Sequence, residues 1–236
     1  MILLRYAFCY TQSMYSCSSA KLLLFLVKRA PRFTFCAGTT LVWAAAQGWL
    51  TVVRRLVETD ADIHFLLDLP LRRAAECGHL LVVQYLIDNG ADQQANLYDA
   101  FRRAAAQGHI EVVKYLVNRG AVVSSFFDDA LRIAAAKGNL PMVRYLVAQG
   151  AGHRAVSLFY AVQRGHLDVV RFLIEEQHVF AGADVLRGAA EAGHLEVVRY
   201  LLQKNFRFSK YEAQKAAKKG HLQIIKYLAE QGVSVL

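Results

Sequence analysis

The strongest constraint on the fold is that the chain repeats itself. A segment with the consensus Ala-Ala-x-x-Gly-His-Leu, followed by apolar residues, a basic residue and Tyr-Leu, occurs seven times in 236 residues. Its glycine stands at Gly48, Gly78, Gly108, Gly138, Gly165, Gly193 and Gly220, at spacings of 30 residues and later of 27 or 28. Repetition at such a period predicts a solenoid in which each unit packs on its neighbours. We therefore expect function on an extended surface rather than in a catalytic pocket.

A single repeat, residues 99–121, predicts two short helices separated by a tight turn. Asp99 is placed to cap the first helix, since its carboxylate can accept hydrogen bonds from the free N–H groups of the first turn, and Asp129 and Asp184 are expected to do the same in later repeats. Phe101 and the following alanines give that helix one buried stripe. Gly108 ends it in a left-handed conformation, and Gly120 ends the second helix in the same way.

In the other repeats, different residues stand where the helices begin and end, and most of them are compatible with the backbone conformation that these positions need. Asp60 and Asn205 replace the second glycine, and both residue types tolerate the left-handed conformation. Gln177 does not fit this rule, so we expect its helix to end differently. Pro141 falls in the first turn of its helix, where a missing N–H costs little.

Helix, tight turn, helix and loop at this spacing resemble the ankyrin repeat. Thr39-Thr40-Leu41 and Leu69-Pro70-Leu71 are similar to that family's Thr-Pro-Leu-His segment, and later copies replace it with Asp99-Ala-Phe-Arg102, Asp129-Ala-Leu-Arg132 and Asp184-Val-Leu-Arg187. The resemblance implies an all-α, ankyrin-like solenoid of helix–turn–helix repeats. Because the family period is about 33 residues, the loops must be shortened, and the family's hairpin finger should be stunted or nearly absent. This short-period type resembles the ankyrin-repeat proteins of giant DNA viruses.

The repeat register suggests three regions along the chain. Residues 39–208 hold six ankyrin-like repeats, and residues 209–236 form a C-terminal capping repeat whose first helix is rich in lysine. Residues 1–38 are expected to be a degenerate N-terminal capping repeat, with Ser18 at the glycine position and Phe25 at the tyrosine position. The alternative is a targeting leader, since this region lacks acidic residues.

Charge and cysteine content narrow the functional classes. The net charge of +9 is concentrated at the ends: residues 1–57 carry +7, residues 58–202 carry −3 and residues 203–236 carry +5. Nucleic acid binding is disfavoured, because a phosphate backbone would need a continuous basic stripe. No apolar run is long enough to span a membrane. Cys9, Cys17, Cys36 and Cys77 show no zinc or disulfide spacing, so we expect a reducing, cytoplasmic compartment.

Three sets of residues recur at equivalent positions of the repeats, and we call each set a ladder. We interpret all three ladders as structural. Five histidines share one position, and equivalent residues in adjacent repeats lie about 10 Å apart, too far to share a metal, so each should hydrogen-bond to backbone at the start of a second helix. The arginines of the Asp-x-x-Arg segments should pair with the aspartate three residues earlier. The aromatic residues should pack between second helices. These residues are His79, His109, His166, His194 and His221; Arg72, Arg102, Arg132 and Arg187; and Tyr85, Tyr115, Tyr145, Phe172, Tyr200 and Tyr227.

No motif of catalysis is found in the sequence. It has no phosphate-binding loop and no nucleophile elbow, and Asp128-Asp129 and Glu175-Glu176 fall at helix edges where solvated charge is expected. We therefore predict no enzyme activity, no cofactor and no metal.

The candidate binding residues vary where the repeat frame is constant. In the ankyrin family this side of the first helix faces a concave groove that contacts partners, so the resemblance implies a partner-binding surface here. The predicted residues are Trp43, Gln47, Arg73, Glu76, Arg103, Gln107, Ile133, Lys137, Tyr160, Arg164, Glu191, Lys215 and Lys218. Trp43, Tyr160, Arg73 and Arg103 are the strongest candidates, because aromatic residues and arginine dominate interface energetics.

The sequence thus favours a non-catalytic, monomeric scaffold that binds a protein, and the viral resemblance implies a host protein in the host cytoplasm. One alternative is a substrate adaptor for a ubiquitin ligase, although neither end leaves room for the recruiting module. The other alternative is binding to acidic surfaces, nucleic acid or membrane, through the basic ends.

Overall fold

The computed structural model describes residues 37–120, 124–180 and 182–233, which contain helices and no strand. The helices form two compact units, which meet in sequence between Ala121 and Val122. The first unit holds α1 (Ala37–Ala46), α2 (Leu50–Glu58), α3 (Phe65–Glu76), α4 (Leu80–Asp88), α5 (Ala95–Gln107) and α6 (Ile110–Asn118). The second holds α7 (Ser124–Ala136), α8 (Leu140–Ala148), α9 (Arg154–Gln163), α10 (Leu167–Arg171), α11 (Ala183–Ala192), α12 (Leu195–Gln203), α13 (Lys210–Lys218) and α14 (Leu222–Glu230). Nearly all of the predicted N-terminal capping repeat lies outside the described residues.

Within each unit the helices pack in two rows. First helices contact first helices, in the order α1, α3, α5 and in the order α7, α9, α11, α13. Second helices likewise contact the next second helix. The first-helix rows are closely packed because paired alanines such as Ala74 and Ala75 are fully buried and leave room for a neighbouring backbone. This all-α repeat architecture confirms the predicted fold class.

The core of each unit consists of apolar residues that recur at the repeat period. Leu71, Val83 and Leu86 are fully buried in one repeat of the first unit, and Leu158 and Val170 are fully buried in the second unit. Burying such a side chain stabilises the fold by about 1.5–3 kcal/mol. Because each repeat contributes the same few residues, the cores are continuous along the rows of helices.

The turn inside each repeat is built on a left-handed glycine, as predicted. All seven repeat glycines have positive φ, for example +80° at Gly78 and +84° at Gly193. The second stop is also left-handed at Asp60 and Asn205, both with φ of 63°. These residues confirm the sequence prediction, and their conformation reverses the chain within a few residues.

The helix that ends near Gln177 is the predicted exception. Helix α10 continues as a π-helical turn over Phe172–Glu176, and the left-handed residue is His178, with φ of 52°. In the preceding repeat the N–H of Ala151 donates to the Leu146 carbonyl five residues earlier, whereas the N–H of Val179 donates to the Leu173 carbonyl six residues earlier. The π turn therefore inserts one extra residue before the chain turns back.

The prediction that aspartates cap the first helices is wrong. Asp99 follows Tyr98, whose φ of 60° interrupts the start of α5, but its carboxylate accepts from two arginine side chains and not from backbone N–H groups. Asp129 lies inside α7, which begins at Ser124. Asp184 is the second residue of α11, whose N-cap is Gly182. The aspartate carboxylates bind arginine side chains instead, as the candidate site shows.

Candidate functional site

The structure places the predicted binding residues along the first helices and at the turns that follow them. Seven of them are partly exposed: Trp43, Glu76, Arg103, Ile133, Tyr160, Glu191 and Lys215. The other six are exposed: Gln47, Arg73, Gln107, Lys137, Arg164 and Lys218. All thirteen are therefore accessible to some degree, in the first unit on α1, α3 and α5 and in the second on α7, α9, α11 and α13.

Trp43 forms one wall of an apolar pocket in the first unit. The pocket has a volume of about 350 Å³, and its lining residues are Thr39, Val42, Trp43, Ala46, Phe65, Leu66, Leu69 and Arg73. The Trp43 ring packs edge-to-face against Trp49, with ring centroids 4.5 Å apart. Arg73 is the only charged residue of the lining. The pocket is thus open to solvent and mostly apolar, with one charged group in its lining.

An unusual left-handed turn forms the other wall of this pocket. Leu66, Leu67 and Asp68 have φ of 50°, 59° and 55°, a conformation that costs each non-glycine residue roughly 1–2 kcal/mol. The turn leaves the Leu66 and Leu67 side chains 63% and 66% exposed, and Leu66 lines the pocket. No glycine in this segment indicates such a turn, so the sequence alone did not predict it.

Hydrogen bonds from buried and partly buried side chains hold the left-handed turn. Arg72 Nη1 donates to the carbonyls of Leu66 and Leu67, both at 3.2 Å. The Asp68 carboxylate is 4% exposed and accepts from the N–H of Asp92 at 3.0 Å. The structure thus fixes the exposed Leu66 in the same pocket as Trp43 at a cost in backbone strain, and such strain concentrates at functional sites.

Next to the pocket, α3 and α5 carry a chain of ion pairs. One oxygen of Glu76 accepts from Nη1 of Arg73 at 2.9 Å and from Nη1 of Arg103 at 2.8 Å. Asp99 accepts from Nε of Arg103 at 2.5 Å and from Nε of Arg72 at 2.8 Å. Burial opposes the ionisation of Asp99, but the hydrogen bonds from the two arginines outweigh it and lower its pKa.

The predicted pairing of each aspartate with the arginine three residues later holds in two of three cases. Arg132 Nη2 donates to Asp129 at 3.3 Å, and Arg187 pairs with Asp184. Asp99 does not pair with Arg102, because Arg103 and an arginine of the preceding repeat bind it. The predicted pairing is therefore confirmed for Arg132 and Arg187, and Arg72 also forms an ion pair, whereas the prediction is wrong for Arg102, whose Nε is buried without a hydrogen-bond partner among the described residues.

Two other aspartates connect the loops of successive repeats. Asp128 occupies the same repeat position as Asp68, and its carboxylate accepts from the N–H groups of Gly152 at 2.5 Å and His153 at 3.2 Å. The interpretation of Asp128 as a solvated charge is wrong, since its side chain is only 18% exposed. Glu175 and Glu176 also form ion pairs, with Lys204 and Arg144 respectively.

The five repeat histidines hydrogen-bond to backbone, as predicted, but the predicted location of the partner is wrong, because the carbonyl belongs to the preceding repeat and not to the start of a second helix. Each Nε2 lies 2.8–3.2 Å from a carbonyl oxygen at the end of the preceding first helix. His221, for example, contacts the carbonyl of Glu191 at 2.8 Å, and its ring covers the backbone of Gly193. The described ranges contain no group of three or more residues able to hold a metal ion.

In four of the six positions of the aromatic ladder, an arginine from the second helix of the preceding repeat covers the ring. Arg144 lies 4.4 Å from the centroid of Phe172, and Arg171 lies 5.5 Å from that of Tyr200. Arg199 lies 5.2 Å from the Tyr227 ring and Arg54 lies 5.5 Å from the Tyr85 ring. The sequence signal was present, since a basic residue often precedes the aromatic position, but its partner lies one repeat away.

In the second unit the candidate residues engage their neighbours in a similar way. Arg132 lies 5.4 Å from the centroid of the Tyr160 ring, and Phe159 packs on the same ring edge-to-face. Lys215 pairs with Glu191 at 3.3 Å. The positive charge of this surface is therefore partly neutralised.

Two further observations concern the sequence predictions on compartment. No helix in the described part of the chain is long and apolar enough to cross a membrane. Cys77 is exposed, yet partial burial of its thiol, and then the nearby Glu76, raise its pKa. The other three cysteines lie outside the described residues.

Comparisons with known proteins agree with the resemblance seen in the sequence. A family model described as ankyrin repeats, in three copies, matches residues 11–97, 41–128, 101–187, 131–215 and 158–236. The crystal structure of the human ASB11 ankyrin repeat domain is similar, with a TM-score of 0.63 and 21% sequence identity, over 71% of this chain and 84% of that chain. A comparison with curated protein sequences found no significant match.

Proposed function

Because this chain belongs to the ankyrin-repeat family, whose members are generally protein–protein interaction scaffolds, we propose that its first helices form the surface that binds a protein partner. The thirteen predicted binding residues are the proposed contacts. According to this proposal, the chain functions as a monomer that binds its partner and catalyses no reaction.

The observation that supports this proposal best is the apolar pocket beside paired arginines in the first unit. Trp43 and Leu66 present apolar surface, while Arg73 and Arg103 are positioned by Glu76. Aromatic and arginine side chains that are held in place contribute most of the energy at protein interfaces. On this surface the charged groups bind one another, which supports recognition rather than acid–base chemistry.

The resemblance to ankyrin-repeat proteins of giant DNA viruses supports a finer proposal about the partner. We propose that it is a host protein and that binding takes place in the host cytoplasm. Recovery of ubiquitin-ligase subunits with the chain would favour the adaptor alternative. A steep loss of binding between low and physiological salt would favour an acidic surface as the ligand.

Site-specific photocrosslinking tests the proposed surface. A benzophenone amino acid is placed at Gln47 or at Gln107, both exposed after first helices, and the matched control carries it at Thr51, which is exposed on α2. In lysate of the cells in which the protein acts, we expect the first two positions to yield the same adduct and the control to yield none. Equal crosslinking at all three positions would contradict the proposal.

A further inference from the structure

The pocket beside Trp43 has the chemistry of a site for one particular kind of peptide. We propose that it receives a large apolar side chain of a partner peptide and that Arg73 binds an aspartate or glutamate close to that side chain. This inference rests on the proposed function, and it names the chemical class of ligand that the surface recognises.

The lining of the pocket sets the apolar half of this specificity. Its ring and aliphatic surfaces come from Trp43, Phe65, Leu66 and Leu69, and its volume of about 350 Å³ is at the lower end for ligand sites. The Phe65 ring can occupy its position in the lining because Gly38 has no side chain. A Cβ on Gly38 would lie 2.5 Å from the Phe65 ring. A pocket of this size and polarity suits one leucine or aromatic side chain.

The ion pairs beside the pocket set the charged half. Arg73 and Arg103 share one oxygen of Glu76, but Arg103 is also fixed by Asp99. Among the described residues, the ion pair of Arg73 is with Glu76 of its own helix, three residues away, and the Arg73 side chain is 47% exposed against 32% for Arg103. Arg73 can therefore turn to an incoming carboxylate while Glu76 keeps its hydrogen bond from Arg103.

The left-handed turn supports the view that this pocket is a built site. Leu66 and Leu67 have the same conformation and nearly the same exposure, yet only Leu66 lines the pocket. Arg72 holds both of their carbonyls. An exposed leucine that is kept beside Trp43 despite backbone strain gives the ligand a preformed contact, which lowers the entropy cost of binding.

The test uses tryptophan emission of the full chain, whose two tryptophans are Trp43 and Trp49. The probes are short capped Gly/Ser peptides with one Leu and one Asp, adjacent or separated by one or two glycines. Matched peptides carry Asn for Asp or Ala for Leu. We expect the best Leu/Asp peptide to shift the emission and to bind about tenfold more tightly than its Asn counterpart.

Substitutions then assign each half of the specificity. Arg73→Gln should reduce the Asp-to-Asn affinity ratio to about one, and Leu66→Ala should weaken both peptides about fivefold. Leu67→Ala is the matched control, and it should bind both peptides as the unsubstituted chain does. Circular dichroism verifies that each variant folds.

Three results would overturn the inference. The first is that no peptide shifts the tryptophan emission, as would happen if residues of this chain filled the pocket. The second is an Asp-to-Asn affinity ratio that Arg73→Gln leaves unchanged. The third is that Leu66→Ala and Leu67→Ala weaken binding equally. Crosslinking at Gln47 and Gln107 would persist in all three cases if the first helices bind a partner through other contacts. The failure of this inference and the failure of the proposed function are thus distinguishable.

Discussion

Replacing one repeat glycine tests whether the histidine of the next repeat locks adjacent repeats together. In Gly193→Ala the new Cβ would lie 2.5 Å from Cε1 and 2.6 Å from Nδ1 of His221. Gly220 is the matched control, because it occupies the same repeat position with φ of +78° against +84°, and a Cβ added there would meet no atom within 4 Å. Both substitutions strain the backbone, but only one displaces a histidine.

The two costs can be worked out separately. Alanine in the left-handed conformation loses about 1–2 kcal/mol at either position. At Gly193 the His221 ring must also move, which breaks the 2.8 Å contact between its Nε2 and the Glu191 carbonyl. Such a hydrogen bond contributes about 0.5–1.5 kcal/mol. We therefore expect Gly193→Ala to lower the free energy of unfolding by about 2–3 kcal/mol and Gly220→Ala by about 1–2 kcal/mol.

Urea unfolding followed by far-UV circular dichroism measures the difference, and a double-mutant cycle with His221→Ala assigns it. Once the histidine is gone the clash disappears, so the double variant should be no less stable than Gly193→Ala alone, with a coupling energy of about 1 kcal/mol. Equal losses in the two glycine variants, or effects of Gly193→Ala and His221→Ala that simply add, would refute the reasoning.

Three further predictions concern single side chains. Burial, and then Glu175, raise the pKa of Tyr200 to about 12, so its contribution to stability is full below pH 10 and is lost as the pH rises through 12. In an ultraviolet titration, Tyr200→Phe should remove one tyrosine that ionises near pH 12, and an unchanged titration there would contradict this. Asp68→Ala should cost about 1–3 kcal/mol in urea unfolding, because a loop N–H loses its acceptor; a loss below about 0.5 kcal/mol would contradict this. Arg144→Ala should cost about 0.5–1 kcal/mol through its contact with Phe172, and no coupling in a cycle with Phe172→Leu would show otherwise.

The repeat frame could be predicted from the sequence because it depends on local backbone chemistry. A glycine at Gly78, or an asparagine at Asn205, indicates a left-handed residue whatever surrounds it. Gln177 broke this rule, and the structure shows why, since a π turn moves the left-handed position to His178. Local signals were therefore enough for the fold class and for the residues at which most helices stop, but not for the residues at which the first helices begin.

Side-chain partners were harder to predict, because they come from other repeats. Asp99 looked like a helix cap, but Arg72 of the preceding repeat and Arg103 bind its carboxylate. Asp128 was predicted to be a solvated charge, but its carboxylate accepts a hydrogen bond from the loop of the next repeat. In each case the deciding contact joins residues more than 20 positions apart, and no short motif records such a contact.

The candidate site could be predicted only in outline. The first-helix positions of Trp43, Arg73 and Arg103 followed from the repeat and the family resemblance. The structure adds that Arg73 lines the pocket with Trp43 and that Glu76 binds both arginines. The contribution of Leu66 was missed, since its position depends on a left-handed turn of non-glycine residues. That turn forms because side chains from neighbouring segments hold it, which local residue preferences do not capture.

The contact between each histidine and the preceding glycine has a consequence for how such a chain can evolve. The joint between two repeats uses one histidine ring, one glycine and one carbonyl, as His194, Gly165 and Gln163 illustrate. None of these requires a particular residue at the neighbouring surface positions. A duplicated repeat therefore brings its own connector, and the array can gain or lose whole units while its surface residues diverge. Joint and surface are thus free to change independently.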